Sequence, residues 1–197
     1  MKIILIVAGI ILLVFIAIQL FAMSSQNNIE TYSYKVEKKY SDFEIRTYEA
    51  SLFTSVKLPS NNYKKMSSKG FSMLAGYIFG GNESNEKIAM TSPVSMSLED
   101  SMTMGFLVPK KYEKSDLPKP NQSNIEFHEE PSKRVAVISF GGWANDEKIE
   151  KYKEKLIAAL ELEGILYTNK FYFFGYNPPY EVFNRKNEIV VDLAQEK

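Results

Sequence analysis

Few side chains in this sequence could carry out chemistry, and their arrangement argues against catalysis. There is one histidine, His128 in "IEFHEEP", and no cysteine, which removes thiol nucleophiles, disulfides and thiolate metal sites together. Serine hydrolysis needs a histidine base beside a serine elbow, and neither "GFSML" nor "MTSP" has the G-x-S-x-G pattern. Glu44, Glu129, Glu130 and Glu181 could supply an acid–base pair, but nothing in their spacing marks two of them as partners. Phosphate-cradling and metal-binding motifs are absent from the sequence. His128 lies beside two acids on an expected strand and reads as a solvated surface residue. The pattern suits a binding protein and not an enzyme.

The composition agrees. With 24 basic and 24 acidic side chains in 197 residues the formal charge is zero, so bulk charge gives no support for a nucleic-acid partner. Apolar residues make up 45% of the chain, including 13 Phe and 12 Tyr, enough for one domain with aromatic surface to spare.

The first 23 residues stand apart. From Ile3 to Met23 the sequence "IILIVAGIILLVFIAIQLFAM" has Gln19 as its only strongly polar member, and its length matches the roughly 20 residues that cross a bilayer core. It is expected to be a membrane anchor. A cleaved signal peptide is the rival, with a usual apolar region of about 7–15 residues and only the weak cleavage site "AMS" at 22–24 available here. Lys2 lies nearest the membrane, which favours a cytoplasmic N-terminus and an extracytoplasmic domain. Residues 24–33, "SSQNNIETYS", read as a polar tether, and a single domain is expected over 34–193.

Within that domain, alternation marks "YKVEKKY" and "FEIRTYEASLFTSVKL" as strands, the second broken near Glu49. A helix follows, with Ser60 or Asn61 as N-cap, Gly80–Gly81 as terminator, and Met66, Met73, Leu74, Tyr77 and Ile78 at helical spacing. "PVSMSL" and "SMTMGFLVP" are the next strands, and Lys110 to Asn124 reads as a surface connection. The order then repeats. "IEFHEEP" and "RVAVISF" precede a helix capped by Asn145, with Ile149, Tyr152, Leu156, Ala159 and Leu160 as its buried stripe and Gly164 at its end. "KFYFFGY" and "NEIVVDL" close the chain. The expected fold is α+β: two pseudo-symmetric β-β-α-β-β halves forming a distorted eight-stranded antiparallel barrel with two flanking helices, preceded by the anchor.

Five separated patches, "YKVEKKYSDFEIRTYEA", "GFSMLAGYIFGGN", "IAMTSPV", "AVISFGGWAN" and "GYNPPYEVFNRKNEIVV", resemble the SOUL family of haem-binding proteins in order and spacing. The resemblance implies the same two-half barrel and a haem groove beside the first helix and the loop leading to the final strand. In some animal members a histidine after the "EIR" motif is the proposed haem ligand, and this chain has Thr47 there. Hydrophobic binding without a strong protein ligand is therefore the better model, with Met and Tyr ligation open.

On that model Met66, Phe71, Met73 and Ala75 cannot all share the core stripe of Leu74 and Ile78, so some face the groove, unless the helix is buried on both sides. Tyr180 and Phe183 supply apolar walls, and Arg185 or Lys186 pairs with the propionates, a role open also to Lys64, Lys65 and Lys69. Met90 is either a haem-facing group or the core filler of a turn whose backbone Pro93 fixes, with Pro178 and Pro179 doing the same in the equivalent loop of the second half. The expected function is reversible binding of haem or another tetrapyrrole at a membrane, for transport, buffering or sensing. The alternative is a non-haem interaction or envelope-structural protein on the same barrel.

Overall fold

The computed structural model describes residues 2–26, 29–99 and 101–194. Met1 of the expected anchor and residues 27–28 of the expected tether lie outside them. The chain opens with α1 (Lys2–Gln26). Its stretch Lys2–Gln19 has a mean hydropathy of 2.8 with only 6% of it buried, so it is long and apolar enough to cross a membrane and is not a core helix of the domain.

After it come β1 (Glu30–Thr31), β2 (Tyr34–Lys39), β3 (Glu44–Tyr48), β4 (Ser51–Lys57), α2 (Tyr63–Ile78), β5 (Thr91–Ser92), β6 (Val94–Ser97) and β7 (Thr103–Leu107). The rest of the chain supplies β8 (Ile125–Glu130), β9 (Lys133–Gly141), α3 (Asp146–Leu162), β10 (Tyr167–Gly175) and β11 (Lys186–Leu193). The long sheet runs β2-β3-β9-β11-β10-β6-β7-β4-β8, and every pairing in it is antiparallel.

The expected count of eight strands is corrected to nine in this sheet. The reason is the break at Glu49–Ala50, where "FEIRTYEASLFTSVKL" divides: β3 pairs with β2 and β9, whereas β4 pairs with β7 and β8. The sheet is a curled half-barrel and not a closed barrel. Its edge strand β2 carries Lys35, Lys38 and Lys39, is largely exposed, and has a register shift between Val36 and Lys38. Charges and a bulge are devices that keep a sheet edge from pairing.

Alternation along the strands gives the sheet two apolar faces. Phe173, Ile189 and Val191 belong to the larger core with Leu74 of α2 and Leu156 and Leu160 of α3. Their neighbours Phe174 and Val190 belong to a second cluster on the opposite face, with Tyr32, Tyr48, Phe53 and Val137.

Helices α2 and α3 start on asparagine caps, although for α2 the cap is Asn62, one residue past the expected pair. Its side chain accepts from Lys65 N at 2.9 Å, as Asn145 accepts from Lys148 N at 2.8 Å. Helix α2 sits close on the sheet because Gly70 has no side chain: a Cβ there would lie 2.8 Å from Leu58 Cδ1 and 3.0 Å from Met104. That close approach turns the buried arc toward Gly70, Leu74, Ala75, Tyr77 and Ile78. Met66 and Met73, expected in the stripe, fall at one edge of the arc.

Candidate ligand-binding site

Between β10 and β11 lies the loop 176–185, and Arg185 organises it. Its guanidinium donates to the carbonyls of Pro178 (2.9 Å), Glu181 (2.6 Å) and Asn177 (3.3 Å), and it stacks 3.9 Å from the centre of the Trp143 ring in the β9–α3 turn. Asn177 Oδ1 accepts from Lys186 N at 2.7 Å, closing the loop's base. Held this way, the loop leaves Tyr180 51%, Val182 42% and Phe183 55% exposed, with Trp143 at 53%. Exposed apolar side chains gathered on a small framework mark an interaction surface more often than scattered ones do. Two of the expected wall residues, Tyr180 and Phe183, are thus on one loop and open to a ligand.

The expected propionate partners are already engaged. Arg185 holds loop carbonyls, its Nε is buried without a hydrogen-bond partner among the described residues, and burial lowers its pKa. Lys186 Nζ lies 3.0 Å from Glu188 Oε1 and 4.1 Å from the Tyr176 ring centre.

The helical residues do not form one wall with the loop. At about 100° per residue, Met66 and Met73 fall on one edge of the buried arc of α2, Phe71 and Ala75 on the other. Ala75 is buried, Phe71 meets Phe106 at 5.3 Å between ring centres, and Met66, Phe71 and Met73 all pack against the large core. Met90 packs there too. Thr91 Oγ1 donates to Leu107 O (2.6 Å), Ser92 Oγ donates to Tyr176 O (3.4 Å), and Ser92 O accepts from Tyr32 N (2.9 Å). "MTSP" is therefore a brace that ties the segment after α1 and the 176–185 loop to β7.

Two features of the opposite face were not anticipated from sequence. The first is a buried polar network. Glu188, 0% exposed, accepts from Arg46 Nη1 (3.0 Å), Ser139 Oγ (3.1 Å) and Tyr176 OH (2.5 Å). Arg46 is shared with Glu44 at 2.8 Å. Burial is the largest influence on Arg46 and works against the cation, but Glu188, Tyr48 and Glu44 together outweigh it and hold the pKa above the ordinary arginine value. Burial, then Glu188, pushes the Tyr176 hydroxyl well above its usual range. The family-like stretches "FEIR" and "NRKNE" meet in this network, so that coincidence was the available signal. Thr47 points away from it and donates to Glu37, which also pairs with Arg134 at 2.7 Å.

The second is a cavity of about 300 Å³ lined by Tyr32, Phe53, Tyr172 and Phe174, with Gly105 and Ser95 among its walls and His128, Glu130 and Lys133 around it. His128 stacks on Phe53 (5.7 Å) and pairs with Glu130 (3.2 Å). That bond, joined by Lys133, pulls Glu130 down to about 2. Tyr32 is 3% exposed, and its hydroxyl has no hydrogen-bond partner among the described residues. Burial, then Glu130, raises its pKa, so at neutral pH it is an unused donor.

The SOUL heme-binding protein model matches residues 29–192. Human "Heme-binding protein 2" is 30% identical over 156 residues, covering 75% of this chain and 76% of that one. Xenopus laevis "Heme-binding protein 1" is 26% identical over 172 residues, covering 83% and 90%. Among solved structures, the C-terminal domain of EcmrR aligns with a TM-score of 0.62 at 11% identity over 83% of this chain and 99% of that one. A Listeria innocua protein described as a hydrolase aligns at 0.56 and 9% identity, over 80% and 94%. At such identities the structural likenesses speak for the fold alone.

Proposed function

We propose, from the premise that this chain belongs to the SOUL heme-binding protein family, that it is a membrane-tethered carrier, buffer or sensor of haem or a related tetrapyrrole. The observation that carries the site is the loop 176–185. It presents Tyr180, Val182 and Phe183, half or nearly half exposed, beside Trp143. A macrocycle laid on these side chains gains by apolar contact and stacking, with no strong axial ligand. Since Arg185 and Lys186 have internal partners, the propionates would turn to water and to the exposed Lys64, Lys65 and Lys69 of α2. Haem, when bound, would supply the redox and light-absorbing chemistry, and the chain's residues would hold and orient it.

Helix α1 supports tethering by its length and hydropathy, and Lys2 supports a cytoplasmic N-terminus with an extracytoplasmic domain. An anchored protein stays with membranes at full length through a carbonate wash, whereas a cleaved signal releases a soluble form beginning near Ser25. The sheet order supports two related halves: β9-β11-β10 and β4-β7-β6 flank the centre in mirrored order, each with its helix after its first strand in sequence.

A second reading of the site has its own support. The unpartnered Tyr32 hydroxyl and the aromatic walls of the opposite cavity suit insertion of a ring edge there. Haem titration of the full chain and of two variants checked for folding distinguishes the two. Loss of affinity in Phe183→Ala supports the loop, and loss in Gly105→Leu, which fills the cavity beside Phe53, supports the cavity. A full chain that produces no saturable change in the Soret band of haem would turn the reading to a non-haem interaction protein.

A further inference from the structure

The polar residue inside the apolar helix has a specific partner. Gln19 is 6% exposed, and both ends of its amide are engaged by the loop: Nε2 donates to Tyr180 O at 3.0 Å, and Oε1 accepts from Val182 N at 3.0 Å. One turn earlier on the same helix, Phe15 meets Phe183 edge to face at 6.4 Å. Toward Lys2 the side chains of α1 are exposed. The domain thus touches the anchor through the tip of the loop that carries the candidate site.

Depth along the helix gives this contact its meaning. The apolar run continues to Met23, four residues past Gln19, which at about 1.5 Å per residue is roughly 6 Å of helix. Gln19 therefore lies within the apolar run, where an unpaired amide is costly because no water is there to satisfy it. The loop backbone satisfies it in place of water, which requires the loop tip to reach that depth. The exposed side chains suit such a position. Tyr180 and Trp143 are of the two residue types enriched where membrane meets water, and Phe183 adds apolar surface beside them. Glu181, the acid between them, is buried at 3%, so its charge is withdrawn from the surface.

We infer that the loop tip, with Trp143 beside it, inserts into the interfacial layer of the bilayer as a second membrane contact beside α1, so that the tetrapyrrole patch opens to lipid and not to bulk water. A ligand dissolved in the membrane would reach the patch without crossing the aqueous phase. This inference rests on the tethered reading of α1.

Trp143 is the chain's single tryptophan and serves as the probe. The full-length protein is reconstituted in phosphatidylcholine vesicles whose acyl chains are brominated either near the headgroup or near the bilayer centre, and each sample is also carbonate-washed. Insertion predicts blue-shifted emission, strong quenching by the shallow bromines, weak quenching by the deep ones, and protection from aqueous iodide. Gln19→Leu keeps the apolar span and removes the clamp, so it should lose the bromine quenching while staying with the vesicles. Carbonate-resistant protein whose Trp143 is quenched by iodide and not by bromines overturns the inference and leaves the anchor standing. Protein released by carbonate but still quenched by shallow bromines in unwashed vesicles removes the anchor and keeps the loop contact. Loss of both overturns both.

Discussion

The loop 176–185 and the opposite face of the sheet are built from similar residues put to contrary use. On the loop, the cation Arg185 is engaged by backbone carbonyls, and the aromatic side chains Tyr180 and Phe183 are left outside. On the opposite face, Arg46 is engaged by Glu188 and Glu44, and the aromatic rings of Tyr32, Tyr48, Phe53 and Phe174 are packed into one another. Their burial leaves the Tyr32 hydroxyl without a hydrogen-bond partner among the described residues, beside a small cavity. The difference separates residues that bear on stability from residues proposed to bear on binding, and it can be attacked from either side.

The largest effect should come from the opposite face. Arg46→Ala would leave Glu188 buried at 0% exposure with its main counter-charge gone, a change that typically costs about 3–5 kcal/mol. Thermal or denaturant unfolding should show a loss of that order. A loss below about 1 kcal/mol would mean that Lys186, Ser139 and Tyr176 suffice for Glu188 and that the network is not structural.

Loop truncation should invert this pattern. Phe183→Ala and Tyr180→Ala remove exposed side chains, so stability should move by no more than about 0.5 kcal/mol. Haem affinity should fall about tenfold or more, since burying one such side chain against a ligand is worth roughly 1.5–3 kcal/mol. Arg185→Glu would blur the comparison, because it removes the loop's organiser along with a cation. It should weaken porphyrins and their esters alike, whereas a direct propionate partner would spare the ester.

Within the opposite face, acid acts with opposite signs on two carboxylates that share Lys133. Glu130 is pulled from 4.5 to about 2, first by the His128 hydrogen bond and then by Lys133. A depressed carboxylate contributes stability that is complete above its ordinary value and lost as pH falls through the folded one. Wild type should therefore lose stability between about 4.5 and 2, and Glu130→Gln should flatten that limb. Partly buried Asp192 has the opposite sign. Burial raises its pKa despite Lys133, so its contribution fades as pH rises through that raised value.

The smallest effects concern the unpartnered hydroxyl and the lone histidine. Tyr32→Phe removes a buried donor with no hydrogen-bond partner among the described residues and should be neutral or stabilising by about 1 kcal/mol. If it instead weakens haem binding, the cavity is the site. His128→Ala should change haem affinity by less than about threefold, under ~0.7 kcal/mol, and leave the Soret band in place.

Much of the fold was legible because it rests on short periods. The strands showed their alternation, α3 showed its cap and stripe, and the chain break near Glu49 was visible as a loss of pattern. What the break does was not legible. Sequence shows that a strand stops, but only the pairing shows β3 and β4 going to different parts of the sheet, a choice made by neighbours far away in the chain. Gly70 is a similar case. As a local signal it weakens a helix, and only contact with Leu58 and Met104 shows that it sets how close α2 sits on the sheet. Of the candidate site, Tyr180 and Phe183 were placed together on the loop because they are close in sequence. The internal partners of Arg185 and Lys186 were not legible, since a cation near an expected ligand looks the same in sequence whether it faces outward or holds loop carbonyls and a buried glutamate. Gln19 stood out as the one polar residue of the apolar run, yet its partner lies over 160 positions away.

The most direct measurement is a haem titration, followed in the Soret region, of the full-length protein in lipid nanodiscs beside Phe183→Ala, Gly105→Leu and His128→Ala, each checked for folding. Binding through the loop predicts saturable binding by wild type, a loss of about tenfold or more in Phe183→Ala, and near-wild-type curves for the other two. A haem spectrum abolished by His128→Ala, with Phe183→Ala binding as wild type does, would contradict the account and replace it with a histidine-ligated site on the opposite face of the sheet.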